Sequence, residues 1–183
     1  LKYEDLRNII LVGHSYGGMV ATGVADRAPE RIAHLVYVDA FAPRDGQSLL
    51  DLHTEENRKH VREGANREGD GWRIPPSPIP SDTDESDLSW LLERRAMQPL
   101  KSFEQKIKLT GAVEKLPRTY IYCTISRPGD VFRQFRDRAS TEPGWTCIDL
   151  NASHSPNVTA PEALAKVLDG IAEKWGQSRI SGN

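Results

Sequence analysis

Apolar residues fall in short runs toward the two ends of the chain, and a long polar stretch separates them. Ile9-Ile10-Leu11-Val12 is an unbroken apolar run of strand length, the pattern of a strand covered on both faces in a parallel sheet. The turn Gly13-His14-Ser15-Tyr16-Gly17-Gly18 follows. Met19, Val20, Gly23 and Val24 then recur at helical spacing, and Pro29 marks the stop. Leu35-Val36-Tyr37-Val38 reads as a second strand ending at Asp39, which completes a βαβ unit.

From about Ala42 the periodicity is lost. Residues 43–104 are polar, charged and proline-rich, and Ile74-Pro75-Pro76-Ser77-Pro78-Ile79-Pro80 fits neither a regular helix nor a central strand. Amphipathic helices are expected near residues 49–63 and 88–97. The alternating pattern then resumes. Residues 119–124 and 145–150 are rich in strand formers, and 132–139 suggest a helix between them. A last helix is expected with Thr159 as its cap, Pro161 in its first turn and Glu162 three residues after the cap. Leu164, Val167, Leu168, Ile171 and Trp175 give it one apolar stripe. Strands and helices alternating in this way predict an α/β fold with a mainly parallel sheet, interrupted by a long insertion on the loop side.

Composition narrows the function classes. A length of 183 residues with 38% hydrophobic content is enough for one self-sufficient core, so no disulfide or metal is needed to fold it. Two cysteines exclude a disulfide-dense scaffold, and Cys123 and Cys147, both in expected strands, read as small core residues. A formal net charge of −2 carries no basic surplus for nucleic acid or an anionic membrane. No apolar run reaches membrane-spanning length, and no charged-then-apolar leader opens the chain, so a cytoplasmic location is expected. The oligomeric state is not legible.

Candidate chemistry lies in the two α/β pieces. Gly13-His14-Ser15-Tyr16-Gly17 matches G-x-S-x-G, in which a serine is lifted on a tight strand-to-helix turn and small residues on either side let strand and helix pass closely. The N–H of Tyr16 opens the helix and can face a developing oxyanion. The competing reading is a glycine-rich turn with an inert serine. It is disfavoured because the motif follows a strand and starts a helix. A serine hydroxyl needs an adjacent base, and His154 is the candidate, since it lies after the last strand and before the last helix. His14 is expected to point away from the site, and His34 starts a strand. His53 and His60 are expected to be solvated; no third ligand accompanies them, so no metal site is expected. The third member is a carboxylate that fixes the imidazole tautomer. Two aspartates at strand ends compete. Asp130, in Arg127-Pro128-Gly129-Asp130, is the first choice and Asp39 the alternative. For either, the bland role is a turn or capping aspartate.

These residues resemble the α/β-hydrolase superfamily, and more narrowly the bacterial relatives of plant methylesterases and hydroxynitrile lyases. The resemblance rests on GHSYGG at 13–18, VYVDAFAPRDGQSL at 36–49, DGWRIPPSP at 70–78 and ASHSPNVTAPEAL at 152–164. It implies the C-terminal part of an α/β-hydrolase fold, with residues 1–42 and 116–183 as core and 43–115 as an inserted cap. It carries the nucleophile onto Ser15, the base onto His154 and the acid onto Asp130, with no cofactor and a small-molecule ester as substrate. Two other readings stand beside ester hydrolysis. One is hydroxynitrile lyase-like cleavage, but the plant lyases carry a lysine after the histidine where this chain has Ser155. The other is a non-catalytic ligand-binding protein on the same scaffold. Family members begin with further strands, one of which leads to a second oxyanion donor. The chain is therefore expected to be truncated at its N-terminus and to show little or no esterase activity alone.

Overall fold

The computed structural model describes residues 1–125 and 129–177. Its opening is the expected strand, turn and helix: β1 (Ile9–His14) runs into α1 (Gly17–Arg27), and β2 (Ile32–Val38) returns beside β1. β5 (Arg118–Cys123) and β6 (Trp145–Leu150) extend a four-stranded parallel sheet in the order β1-β2-β5-β6. The connections are helical, as parallel pairing demands.

β2 is central and shows why. Leu35 and Tyr37 point to one face of the sheet, Val36 and Val38 to the other, and all four are buried. The first face is covered by Met19, Ala21 and Ala25 of α1 and by Phe135 and Ala139 of α5 (Arg133–Thr141). The second is covered by α7 (Pro161–Gln177), through the stripe Leu164, Val167, Leu168, Ile171 and Trp175.

Three local expectations change. β1 is covered only in part: Ile9 and Leu11 pack against one core and Ile10 against the other, but among the described residues β1 pairs only with β2, and Val12 is 43% exposed. In α1 the buried face is Gly18, Met19, Ala21, Thr22, Ala25 and Asp26, while Val20 is exposed. Thr159 does not cap α7. It ends a separate short helix, α6 (Pro156–Thr159), where its hydroxyl bonds Ser153 and the Ser155 carbonyl.

Between β2 and β5 the chain forms 3-10 turns at Leu50–Leu52 and Ala112–Lys115, α2 (Glu55–Glu68), α3 (Glu85–Arg94), α4 (Leu100–Glu104), and a short antiparallel pair of β3 (Arg73–Ile74) with β4 (Gln98–Pro99). The helices begin where side-chain oxygens accept backbone N–H groups: Thr54 takes Asn57 N–H and Asp84 takes Ser86 N–H. Those caps set the boundaries that the apolar spacing misplaced by a few residues. The end of this stretch is tied to α1 by buried Asp26, whose carboxylate accepts the N–H groups of Thr110 and Val113. Among the described residues no helix is long and apolar enough to cross a membrane.

Candidate active site

The C-terminal ends of parallel strands gather loop residues at one edge of a sheet. Ser15, Asp39 and His154 follow β1, β2 and β6 at that edge. In the register of β1 and β2, His14 lies beside Val38, so Ser15 and Asp39 leave neighbouring strands at the same level. Both then turn through left-handed backbone, Ser15 at φ +52° and Asp39 at φ +42°. Non-glycine residues seldom adopt such angles, and they persist only where the surroundings hold them.

Here the surroundings do. Ser15 N–H donates to the Val38 carbonyl, and the Ser15 carbonyl accepts from Gly18 N–H and Phe41 N–H. Asp39 N–H donates to Ile121 O at 2.7 Å. The close approach that this turn requires falls on Gly13 and Gly18. A Cβ on Gly13 would lie 2.8 Å from the Gly17 carbonyl, and one on Gly18 only 2.2 Å from the Phe41 carbonyl. Gly17, the second small residue of the motif, has open space instead.

The three side chains form one hydrogen-bonded line. Asp39, fully buried, accepts the Cys123 N–H on Oδ1 at 3.2 Å. Its Oδ2 lies 2.7 Å from His154 Nδ1. A carboxylate only accepts, so Nδ1 carries the proton. In the neutral imidazole Nε2 is then the acceptor, and it lies 3.0 Å from Ser15 Oγ. The Phe132 ring stacks on the imidazole at 4.8 Å between centroids and 22° between planes.

Asp130, the first-choice acid from the sequence, is not at the imidazole. Its Oδ1 accepts the Phe132 N–H at 2.9 Å and its Oδ2 accepts the Tyr122 hydroxyl at 2.5 Å. The bond to the N–H two residues on is an Asx turn that leads into α5. Arg127 and Pro128 of the same loop lie outside the described residues. The carboxylate that reaches the base is Asp39, because its left-handed turn sends the side chain across the ends of β5 and β6.

Tyr16 is the residue just before α1, and among the described residues no acceptor in the chain takes its N–H. Its ring stacks on Phe103 at 5.6 Å, and its hydroxyl donates to the Ser102 carbonyl, both on α4. The stretch between β2 and β5 therefore touches the elbow directly.

Among the remaining histidines, His14 and His53 depart from expectation. His14 does not point away: its Nε2 lies 2.6 Å from the His154 carbonyl. His34 is buried against Trp175 with Nε2 on the Thr119 hydroxyl, and burial, with Lys174 adding to it, holds its pKa down to about 4. His53 precedes α2 and is half-buried against Phe41; burial and then Arg58 lower its pKa. His60 is exposed.

A parallel sheet with a serine elbow, an imidazole and a buried carboxylate at its C-terminal edge defines an α/β hydrolase. The model of the alpha/beta hydrolase family matches residues 2–167, and the chain belongs to that family. It is 34% identical over 185 residues to a carbendazim hydrolyzing esterase of a Nocardioides species, covering 93% of this chain and 74% of that protein. It is 26% identical to methylesterase 17 of Arabidopsis thaliana, covering 96% and 70% of the two chains. Among solved structures, an extracellular alpha/beta-hydrolase from a Paenibacillus species superimposes with a TM-score of 0.77 at 24% identity, covering 91% of this chain and 73% of that one.

Proposed function

We propose that the chain hydrolyses carboxylic esters by covalent catalysis at Ser15, with His154 as general base and Asp39 as the residue that orients it. The observation that carries this reading is the continuous hydrogen-bonded line from buried Asp39 through His154 to Ser15. In the first step Ser15 Oγ attacks the ester carbonyl as its proton passes to His154 Nε2. Asp39 stabilises the resulting imidazolium and keeps the ring in its reactive tautomer. The Tyr16 N–H donates to the oxyanion of the tetrahedral intermediate. His154 returns the proton to the departing alcohol, and an acyl-enzyme remains. Water, deprotonated by the same nitrogen, then releases the acid and regenerates Ser15.

This chemistry requires no metal or cofactor. We read residues 43–115 as a cap over the site, on the strength of the contacts of α4 with Tyr16. That the relatives are an esterase and a methylesterase supports a small-molecule ester, with methyl esters the first class to try. The test is turnover of p-nitrophenyl acetate and of a panel of methyl esters by the wild-type chain and by Ser15→Ala. Turnover that vanishes in the variant supports the reading. Saturable binding of the esters in a wild type that neither turns them over nor reacts with a fluorophosphonate at Ser15 overturns it in favour of a ligand-binding protein.

A further inference from the structure

A histidine that serves as a base must be held in two ways. Its ring nitrogens must face the right partners, and its main chain must stay put while the ring takes and returns a proton. The ring of His154 is held by Asp39 and Ser15. Its main chain belongs to the loop between β6 and α6, which among the described residues has no strand partner. That loop is tied at its edges. Ile125 N–H donates to the Ala152 carbonyl, and the Ser153 hydroxyl pairs with that of Thr159.

At His154 itself the tie comes from the elbow. His14 Nε2 is 2.6 Å from the His154 carbonyl oxygen. A carbonyl only accepts, so His14 donates through Nε2–H. The two rings lie 5.0 Å apart and tilted by 41°. His14 is the last residue of β1 and the immediate neighbour of Ser15, so one dipeptide at the end of one strand holds the base by its ring and by its backbone.

We propose that His14 is a positioning residue for His154: its Nε2–H fixes the carbonyl of the base and so sets the distance between His154 Nε2 and Ser15 Oγ. The inference rests on the reading of Ser15 and His154 as the acyl-transfer pair. A shift of about 1 Å between reacting groups costs on the order of 10²-fold in rate. Loss of one bond to a loop held elsewhere leaves the fold standing and moves the base. Histidine suits the task because its Nε2 projects farther from the backbone than an asparagine amide. Glutamine comes close to that reach and also carries a donor.

The experiment compares His14→Leu, His14→Gln and His14→Asn in the full chain. Steady-state kinetics on p-nitrophenyl acetate are normalised to folded protein by circular dichroism, and proton NMR follows the His154 Nδ1–H held by Asp39. We expect His14→Leu to lower kcat by about 10- to 100-fold with KM within about threefold of wild type. We expect His14→Gln to recover most of that loss and His14→Asn to resemble His14→Leu. The downfield Nδ1–H signal should weaken or broaden in the leucine and asparagine variants and persist in the glutamine one. If His14→Leu does not fold, the glutamine and asparagine pair carries the comparison. Equal kcat in the donor-bearing and donorless variants, with the Nδ1–H signal unchanged in all, overturns the proposal. A wild-type chain that shows the Nδ1–H signal but neither turns over ester nor takes a fluorophosphonate on Ser15 overturns the esterase reading instead. In that case the NMR comparison alone decides the positioning role.

Discussion

Replacing Asp39 by asparagine removes a charge without changing shape, and the surroundings of Asp39 make both consequences calculable. The side chain is fully buried, and among the described residues it accepts two N–H groups, one from Cys123 on Oδ1 and one from His154 Nδ1 on Oδ2. An asparagine has one acceptor and one donor at those positions. If its oxygen faces His154, its amide nitrogen faces the Cys123 N–H, and a buried donor loses its acceptor. Such a loss costs about 1–3 kcal/mol of stability. If its nitrogen faces His154, the imidazole escapes a donor–donor clash by moving its proton to Nε2. That nitrogen then points a hydrogen at Ser15 Oγ and no longer acts as a base. The wrong tautomer costs about 10⁴ in kcat in serine hydrolases, equal to about 5–6 kcal/mol of barrier. The left-handed φ of Asp39 is no obstacle, since asparagine tolerates it. Asp130→Asn is the control. Among the described residues its side chain meets the Phe132 N–H and the Tyr122 hydroxyl, and a hydroxyl can donate or accept, so both contacts accommodate an amide. The assay is kcat on p-nitrophenyl acetate per folded molecule, with thermal melts of both variants. Asp39→Asn should fall by several orders of magnitude and Asp130→Asn by less than about tenfold. The reverse ranking on folded protein refutes the argument and returns the acid to Asp130.

Two further outcomes follow from the packing. Gly18→Ala drives a methyl group into the Phe41 carbonyl, whose own N–H holds Ser15, so it should cost about 1–3 kcal/mol in a denaturant titration; Gly17→Ala, which meets open space, should melt near wild type. His34 has a native pKa near 4, lowered by burial and then by Lys174, against about 6.5 in the unfolded chain. The unfolded chain therefore binds a proton that the native one refuses. Stability is fully present above about pH 6.5 and declines between about 6.5 and 4, by up to about 3 kcal/mol. Melting temperature plotted against pH should fall in that window for the wild type and be flatter for His34→Gln; parallel slopes would exclude the assignment.

What could be seen in the sequence was local. The strand Ile9-Ile10-Leu11-Val12, the elbow after it and the helix after that are contiguous, and each reports on the next. The position of His154 followed from the order of strands. What could not be seen were choices made by tertiary contact. Asp39 and Asp130 both follow strands, and nothing in chain spacing distinguishes them. The left-handed turn at Asp39 and its central place in the sheet send one carboxylate to the imidazole, whereas the short Asx turn at Asp130 spends the other on its own loop. The buried face of α1 is set by close approach at Gly18 rather than by the valines, so Val20 faces outward. Thr159, a plausible cap by its spacing to Glu162, is taken by Ser153 and Ser155 in the fold. The contact of His14 with the base has no signal in the sequence beyond adjacency to the serine.

Covalent labelling of the nucleophile tests the central claim most directly. A fluorophosphonate reacts with a serine whose proton is removed by a neighbouring base and ignores an inert hydroxyl. Intact-mass and peptide mass spectrometry of the treated chain should find one adduct, on Ser15. Labelling should be absent in Ser15→Ala, and it should slow by orders of magnitude in folded Asp39→Asn and in a His154→Ala variant. An adduct on another residue, or labelling of Ser15 at an unchanged rate without His154, would contradict the account.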